Sequence, residues 1–204
     1  MLLILMSIAM PIAFNTWSAL LNNFVIERAQ FTGVEIGWLH SLREVPGFLA
    51  FTVVFVLLIL REQTFAVLAL ALMGLGTALT GFFPSVIGLY CTTVIMSIGF
   101  HYFESLKQSL SLQWFTKDEA PQMLGRLIAV GSVTSLIVYG ILYGLLEVLA
   151  VDYIWNFALA GSVVMLLSIV IWIGFPHFPA KVEQHKTIIL RKRYWLYYAL
   201  TFFA

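Results

Sequence analysis

Long apolar runs separated by short polar segments follow one another along the whole chain. Each run holds roughly twenty residues, and a helix that rises about 1.5 Å per residue needs that length to cross a hydrocarbon core of about 30 Å. The pattern therefore predicts six membrane-spanning helices, here called the first to the sixth, over residues 2–26, 36–60, 65–83, 86–111, 124–149 and 154–175. We expect residues 1–175 to form one six-helix transmembrane bundle.

A seventh apolar run, RYWLYYALTFFA, covers residues 193–204. A helix of this length reaches about 18 Å, which is too short to span a bilayer. We therefore expect the truncated start of a seventh spanning helix, with a missing C-terminal six-helix half after it. The polar segment 176–192 is expected to be a basic cytoplasmic linker that binds lipid headgroups, contacts the loops of the second to fifth helices, or does both.

The composition supports a membrane location, since 61% of the residues are hydrophobic and only 10% are charged. A soluble domain carries about 25% charged residues. The chain is therefore expected to be an integral, multi-pass membrane protein embedded in the lipid bilayer. Cys91 is the only cysteine, so no disulfide can form within the chain. We expect no nucleic-acid partner, although the net charge of +1 is not informative on this point, because the basic residues are placed by membrane topology.

The basic residues indicate how the chain is oriented in the membrane. Eight of the eleven fall on one side of the predicted bundle, one falls on the other side, and two lie within helices. Cytoplasmic loops carry the excess of lysine and arginine, so the side with eight is predicted to be cytoplasmic, as is the N-terminus, and we expect the plasma (inner) membrane. The eight are Arg61, Lys117, Arg126, Lys181, Lys186, Arg191, Lys192 and Arg193; Arg28 lies opposite, and Arg43 and Lys107 lie within helices.

Ionisable side chains occur in some predicted helices and not in others. The first, second, fourth and fifth helices carry polar groups, whereas the third and sixth have no ionisable residue within 65–83 and 154–175. A charge at the bilayer centre costs roughly 3 kcal/mol or more, so such residues face a bundle interior or a water-filled path. The repeated order polar, polar, apolar predicts an all-α integral membrane bundle of two three-helix inverted repeats, with the third and sixth helices outside against lipid.

Stripes of polar residues at helical spacing predict a substrate and ion pathway. On the fourth helix a histidine, a glutamate and a lysine follow one another at three-residue steps. Arg43 and Glu44 are adjacent and point about 100° apart, so we expect them to pair with other helices rather than with each other. The predicted pathway residues are Asn15, Asn22, His40, Arg43, Glu44, His101, Glu104, Lys107, Gln108 and Tyr139.

Each polar group also has a structural alternative that the spacing leaves open. Glu104 and Lys107 could form an ion pair within the fourth helix, and the charged pair of the second helix could simply lock helices together. His101 alone could be a packed, hydrogen-bonded histidine, and Asn15 and Asn22 could only join neighbouring helices. The third helix contains glycines that we expect to allow close helix packing, namely Gly74, Gly76 and Gly81.

The segment WFTKDEAPQMLGRLIAVGS joins the fourth and fifth helices through an aromatic, charged and proline-containing turn. Together with the order of six helices, the basic linker and the short turns FFPS and AVDY, it resembles the N-terminal half of a major facilitator superfamily transporter. The resemblance covers the whole chain. The matching positions of the joining segment are Trp114, Phe115, Lys117, Asp118, Glu119, Pro121, Gly125 and Arg126.

This resemblance implies two six-helix bundles that rock around a central site, with this chain as one bundle. It places the cavity on the first, second, fourth and fifth helices and implies a cytoplasmic gate, for which the chain offers Arg61, Glu62, Lys117, Asp118 and Arg126. Three features depart from the family pattern. The Gly-rich basic turn after the second helix is reduced to LLILREQTF, the fourth helix has no arginine before Gly99, and the fifth lacks a Gly-Pro pair. A multidrug proton antiporter is therefore not the expected subtype.

The leading hypothesis is a secondary transporter that moves a small solute by alternating access, with proton coupling left open. Glu104 is the favoured proton-binding residue and Glu44 the next, because burial favours the neutral carboxyl while a neighbouring Lys107 or Arg43 favours the charged one. The alternative is a membrane scaffold or sensor that has a transporter-like bundle and moves nothing. No enzyme, metal or cofactor is expected, since the chain has no HExxH motif, no nucleophile elbow and no phosphate-binding GxxxxGKS or GxxxxGKT loop.

Overall fold

A computed structural model describes residues 1–175, 177–178 and 191–203 of the 204-residue chain. The regular elements in these ranges are all helical. The helices of spanning length are α1 (Leu2–Ala29), α2 (Gly33–Leu57), α3 (Glu62–Thr80), α4 (Val86–Trp114), α5 (Ala120–Val148) and α6 (Tyr153–Gly174). A short helix, α7 (Trp195–Phe203), follows them. The linker predicted over 176–192, including Lys181 and Lys186, lies for the most part outside the described residues.

The prediction of six helices long and apolar enough to cross a membrane is confirmed, and this architecture is compatible with a multi-pass membrane protein. Capping side chains explain several helix starts that the apolar pattern places only approximately. The Thr32 hydroxyl accepts from the Val34 N–H at 3.2 Å and the Glu35 carboxylate accepts from the Thr32 N–H at 2.9 Å, a capping box that begins α2. Helix α5 begins at Ala120 rather than at residue 124, because Pro121 is compatible with a first helical turn.

Helix α2 is not continuous. A regular stretch, Gly33–Phe48, is followed by a tighter 3-10 turn, Ala50–Thr52, and a short helix, Val53–Leu57. Pro46 lies near the end of the first stretch and has no N–H to donate to the carbonyl of Leu42. An irregular turn within a spanning helix gives α2 a point at which it can bend.

Helix α3 is the most enclosed of the six, since 67% of its most apolar stretch is buried, against 11% for α2 and 17% for α5. It packs against α4, α6 and α1. Helix α1 also packs against α5 and α6, and α2 lies on α4. The prediction that the third helix lies outside against lipid is therefore wrong for this bundle. The lack of ionisable groups between 65 and 83 reflects burial among helices.

Glycines allow α3 to approach its neighbours closely, as predicted. A Cβ atom at Gly74 would lie 2.9 Å from the carbonyl oxygen of Gly161 on α6. A Cβ atom at Gly99 of α4 would lie 2.7 Å from the Cα atom of Met73 on α3. Both distances are shorter than ordinary van der Waals contact, so the backbones can be this close only because side chains are absent at these positions.

Contacts between side chains fasten the C-terminal end of α1 to the start of α6. Arg28 forms an ion pair with Asp152, and the Tyr153 hydroxyl donates to Glu27 at 3.2 Å. Asp152 also caps α6 by accepting from the Ile154 N–H at 3.0 Å. Asp152 thus contributes both to the start of α6 and to its contact with α1.

Candidate functional site

Arg43 and Glu44, which are adjacent on α2, form an ion pair with each other. The Arg43 Nε atom donates to the Glu44 Oε1 atom at 2.8 Å, and a second guanidinium nitrogen bonds the same oxygen. The expectation that these adjacent residues pair with other helices is therefore wrong for Arg43. Their backbone directions differ by about 100°, but the long arginine side chain curls back far enough to reach the neighbouring carboxylate.

The second carboxylate oxygen of Glu44 faces α4. Its Oε2 atom lies 4.0 Å from the Nε2 atom of His101. The imidazole occupies the space beside Gly47, where a Cβ atom would lie 2.7 Å from His101 Cε1. The Ser97 hydroxyl of α4 donates to the Arg43 carbonyl one turn away. A cation, a carboxylate and an imidazole from two helices therefore meet next to the irregular part of α2.

Helix α1 contributes an aromatic wall to this cluster. The Arg43 Cζ atom lies 6.0 Å from the centre of the Trp17 ring, within range of a cation–π interaction. Trp17 is fully buried, and its Nε1–H group has no hydrogen-bond partner in the part of the chain that the structure describes. Sequence reasoning missed Trp17, because an apolar pattern assigns it to the core. It also missed Ser97, although this residue lies one turn before His101 on the same stripe and could have been found from the spacing.

The two predicted asparagines of α1 reach different neighbours. The Asn22 Oδ1 atom lies 3.4 Å from the Nε2 atom of His40 on α2, at the long limit of a hydrogen bond. The Asn15 Nδ2 atom donates to the Ser135 hydroxyl of α5 at 2.7 Å, and Ser135 in turn donates to the Gly131 carbonyl at 2.9 Å. Helix α1 is thus joined by polar groups to both α2 and α5.

The remaining predicted pathway residues do not join the cluster around Glu44. Glu104, Gln108 and Tyr139 are exposed, and Lys107 is partly buried. Neither Glu104 nor Lys107 has an ion-pair partner within 4.0 Å among the described residues, so the pair within the helix is not formed in this structure. Glu104, Lys107 and Gln108 continue the stripe of His101 along α4, toward the end of the bundle where α1 begins.

The predicted gate residues lie at the end of the bundle where α1 begins. Glu62, at the start of α3, accepts a hydrogen bond from the Gln113 amide of α4. Arg61, Lys117 and Asp118 are exposed in the adjoining turns, and Arg126 lines an apolar cavity at the same end. Glu62 is therefore the gate residue for which the structure describes a contact with another helix.

Two described residues of the linker fold back on this end of the bundle. The His177 Nε2 atom lies 2.9 Å from the Thr64 hydroxyl, and the Phe178 N–H donates to the Gln63 side chain at 3.0 Å. The Phe178 ring packs edge-on against Trp114, with 5.2 Å between centroids. At these two positions the segment after α6 contacts residues within the start of α3 and the end of α4, rather than the loops between helices.

Within the described ranges, no three His, Cys, Asp or Glu side chains converge in a way that could hold a metal ion. Comparison with protein-family models, with curated proteins and with solved structures found no match for this chain. A function for this chain is therefore inferred from its fold and from the contacts described above.

Proposed function

We propose that this chain is one six-helix bundle of a secondary transporter of the major facilitator type, which moves a small solute by alternating access and couples that movement to protons. The observation that carries the proposal is the approach of Glu44 to His101 within 4.0 Å, from two helices of spanning length. Ionisable groups at membrane depth are costly, and they mark solute or proton paths far more often than they serve packing.

The cluster has the groups that proton coupling requires. A carboxylate held by a guanidinium and facing an imidazole can take up a proton and thereby release Arg43. The sequence pattern favoured Glu104 for this role, but Glu104 has no ion-pair partner among the described residues. The contacts favour Glu44 together with His101, and Glu104 becomes the second candidate.

Access to this cluster is open on one side. The Glu44 side chain is 57% exposed and the Arg43 side chain 28% exposed. Since α2 and α5 are the least enclosed helices, their uncovered faces offer the surface that a second six-helix half would cover. A solute bound there would lie between two bundles, next to the bend of α2.

The packing order supports an inverted repeat. Helix α1 packs against α5 and α6, α4 packs against α2 and α3, and α3 packs against α6. Advancing every helix number by three, with the count returning to one after six, converts the first set of pairs into the second and leaves the third unchanged. The smaller contact between α1 and α3 is an exception, because α4 and α6 make no comparable contact among the described residues. Two three-helix repeats related by a pseudo-twofold axis would have this property.

The charges support the proposed orientation. Arg61 and Lys117 in the turns and Arg126 in the first part of α5 lie at the same end as the start of α1, since Glu62 bonds Gln113 there and Arg126 shares a cavity with Leu2. Arg28 lies at the opposite end. The excess of basic residues around the start of α1 favours a cytoplasmic location for that end.

Flux through proteoliposomes tests the proposal. The purified protein is reconstituted with a pH-sensitive dye inside the vesicles, and glucose, glutamate and succinate are each added outside. We expect at least one of them to drive proton movement. The rate of this movement should fall about tenfold or more in Glu44→Gln and in His101→Gln. It should not change in Glu147→Gln, which alters an exposed glutamate at the end of α5. Flux of none of the three would favour the scaffold or sensor alternative, and full coupling in Glu44→Gln would remove Glu44 from the proton path.

A further inference from the structure

A cavity of ≈ 690 Å³ lies at the end of the bundle where α1 begins. Four helix ends form its walls, namely the start of α1, the end of α4, the start of α5 and the end of α6. Its size is within the range of pockets that hold small organic ligands, about 300 to 1,000 Å³. None of the cluster residues around Glu44 lines it, so it is separate from the proposed solute path.

The lining is apolar apart from one charged side chain. Leu3, Met123 and Leu127 form part of the wall, and Trp114 and Phe115 add aromatic surface. Arg126 is the charged residue of this lining, and it has no ion-pair partner within the described ranges. A ligand complementary to this cavity has a long apolar part and one anionic group.

The position of the cavity identifies the source of such a ligand. It lies at the ends of helices of membrane-spanning length, beside Trp114, and tryptophan side chains prefer the level of lipid headgroups. At that level the neighbouring molecules are phospholipids, whose acyl chains are apolar and whose phosphates accept bidentate hydrogen bonds from arginine. Basic pockets between spanning helices commonly hold anionic lipid headgroups.

We propose that this cavity is a binding site for an anionic phospholipid, with an acyl chain among the apolar side chains and the headgroup phosphate on Arg126. Acyl chains are already in apolar surroundings in the bilayer, so the preference for an anionic lipid comes from the phosphate on Arg126. Because the cavity joins four helix ends, the bound lipid holds the turn between α4 and α5 against the start of α1. This role does not depend on the proposed transport.

Lipid binding is measured by native mass spectrometry of the purified protein in detergent, with phosphatidylglycerol and phosphatidylcholine of identical acyl chains. We expect wild-type protein to bind phosphatidylglycerol about tenfold more tightly than phosphatidylcholine. Arg126→Gln should bind both lipids equally, while Arg61→Gln, which alters an exposed arginine outside the cavity, should keep the preference. Met123→Trp, which fills the cavity, should weaken binding of both lipids.

A second measurement does not depend on how well the filled variant folds. Phosphatidylglycerol with brominated acyl chains should quench the fluorescence of Trp114. The contribution of Trp114 is the difference in quenching between the wild type and Trp114→Phe. This difference should decrease when unbrominated phosphatidylglycerol competes for the site. Equal binding of the two lipids by the wild type, or a preference that survives Arg126→Gln, would overturn the headgroup assignment. Quenching that is unchanged in Trp114→Phe would overturn the location, and quenching by brominated oleate alone would assign the cavity to a free fatty acid instead.

Discussion

Glu44 of α2 and His101 of α4 lie with Oε2 and Nε2 4.0 Å apart, beside Gly47, which leaves room for the imidazole ring. The two side chains come from helices that no covalent turn joins directly, and α2 becomes irregular within a few residues of the contact. Under the proposed function, bending of α2 at this point would change the distance between the carboxylate and the imidazole and would link protonation to helix movement.

Pro46 lies shortly before the irregular turn of α2 and cannot bond the Leu42 carbonyl, so we predict that it favours the bend. Replacing Pro46 by Ala restores an N–H that can donate to the Leu42 carbonyl, so α2 should become straighter and stiffer. We expect a higher midpoint of thermal unfolding in detergent, corresponding to about 1 to 3 kcal/mol, together with slower proton-coupled flux in vesicles. Pro84→Ala, in the exposed turn between α3 and α4, is the matched control and should leave the flux unchanged. Unaltered flux in Pro46→Ala would show that the bend has no part in transport.

Close backbone packing makes Gly99 sensitive to a single methyl group. A Cβ atom there would lie 2.7 Å from Met73 Cα, so Gly99→Ala must push α3 and α4 apart. We expect a loss of about 1 to 3 kcal/mol in the free energy of unfolding, measured by titration with a denaturing detergent. Gly125→Ala on α5 is the control, because no atom lies within 4 Å of its added Cβ. It should be neutral or raise stability by about 0.5 to 1 kcal/mol, and equal losses in both variants would contradict the packing described.

The hydrogen bond from Asn15 to Ser135 joins α1 to α5. A double-mutant cycle of Asn15→Ala and Ser135→Ala isolates the coupling between the two side chains. We expect a coupling energy of about 0.6 kcal/mol and no more than about 1.7 kcal/mol, as for other polar contacts between membrane helices. Additive effects of the two substitutions would mean that the bond is absent in the folded protein.

Asp152 has two separable roles, since it pairs with Arg28 and caps α6. Asp152→Asn retains a capping side chain and removes only the ion pair, so we expect a loss of up to about 1 kcal/mol, similar to that of Arg28→Gln. Asp152→Ala removes the cap as well and should cost a further 0.5 to 2 kcal/mol or so. Unfolding midpoints of the three variants test this order, and equal values for the asparagine and alanine variants would exclude the cap.

The sequence predicts the existence of the helices well. Their number follows from apolar length, whereas the break in α2 at Ala50–Thr52 was not predicted, because the apolar pattern continues through it. The polar residues of α1, α2 and α4 are likewise identifiable as candidates from the sequence alone. Helical spacing is sufficient for this because it depends only on local geometry.

Contacts between helices could not be predicted in the same way. The pairing of Arg43 with Glu44 depends on side-chain rotamers, and the position of Trp17 beside Arg43 depends on how α1 and α2 are placed. The burial of α3 was missed because an apolar helix without charges suits both a lipid-facing position and a central one. Gly74 and Gly161 decide between these positions, but only when both helices are considered together.

Accessibility of Ser18 from the two sides of the membrane tests alternating access most directly. Ser18 is exposed on α1 and lies between Asn15 and Asn22 at helical spacing, so it belongs to the same face.

The experiment uses Ser18→Cys in a Cys91→Ser background, with a membrane-impermeant maleimide applied to right-side-out and to inside-out vesicles. Leu166→Cys on α6, a 60% exposed position expected to face acyl chains, is the control. The account predicts labelling of Ser18→Cys from both sides and none of Leu166→Cys, because thiols in apolar surroundings do not ionise. Labelling of Ser18→Cys from only one side, or from neither, would contradict it.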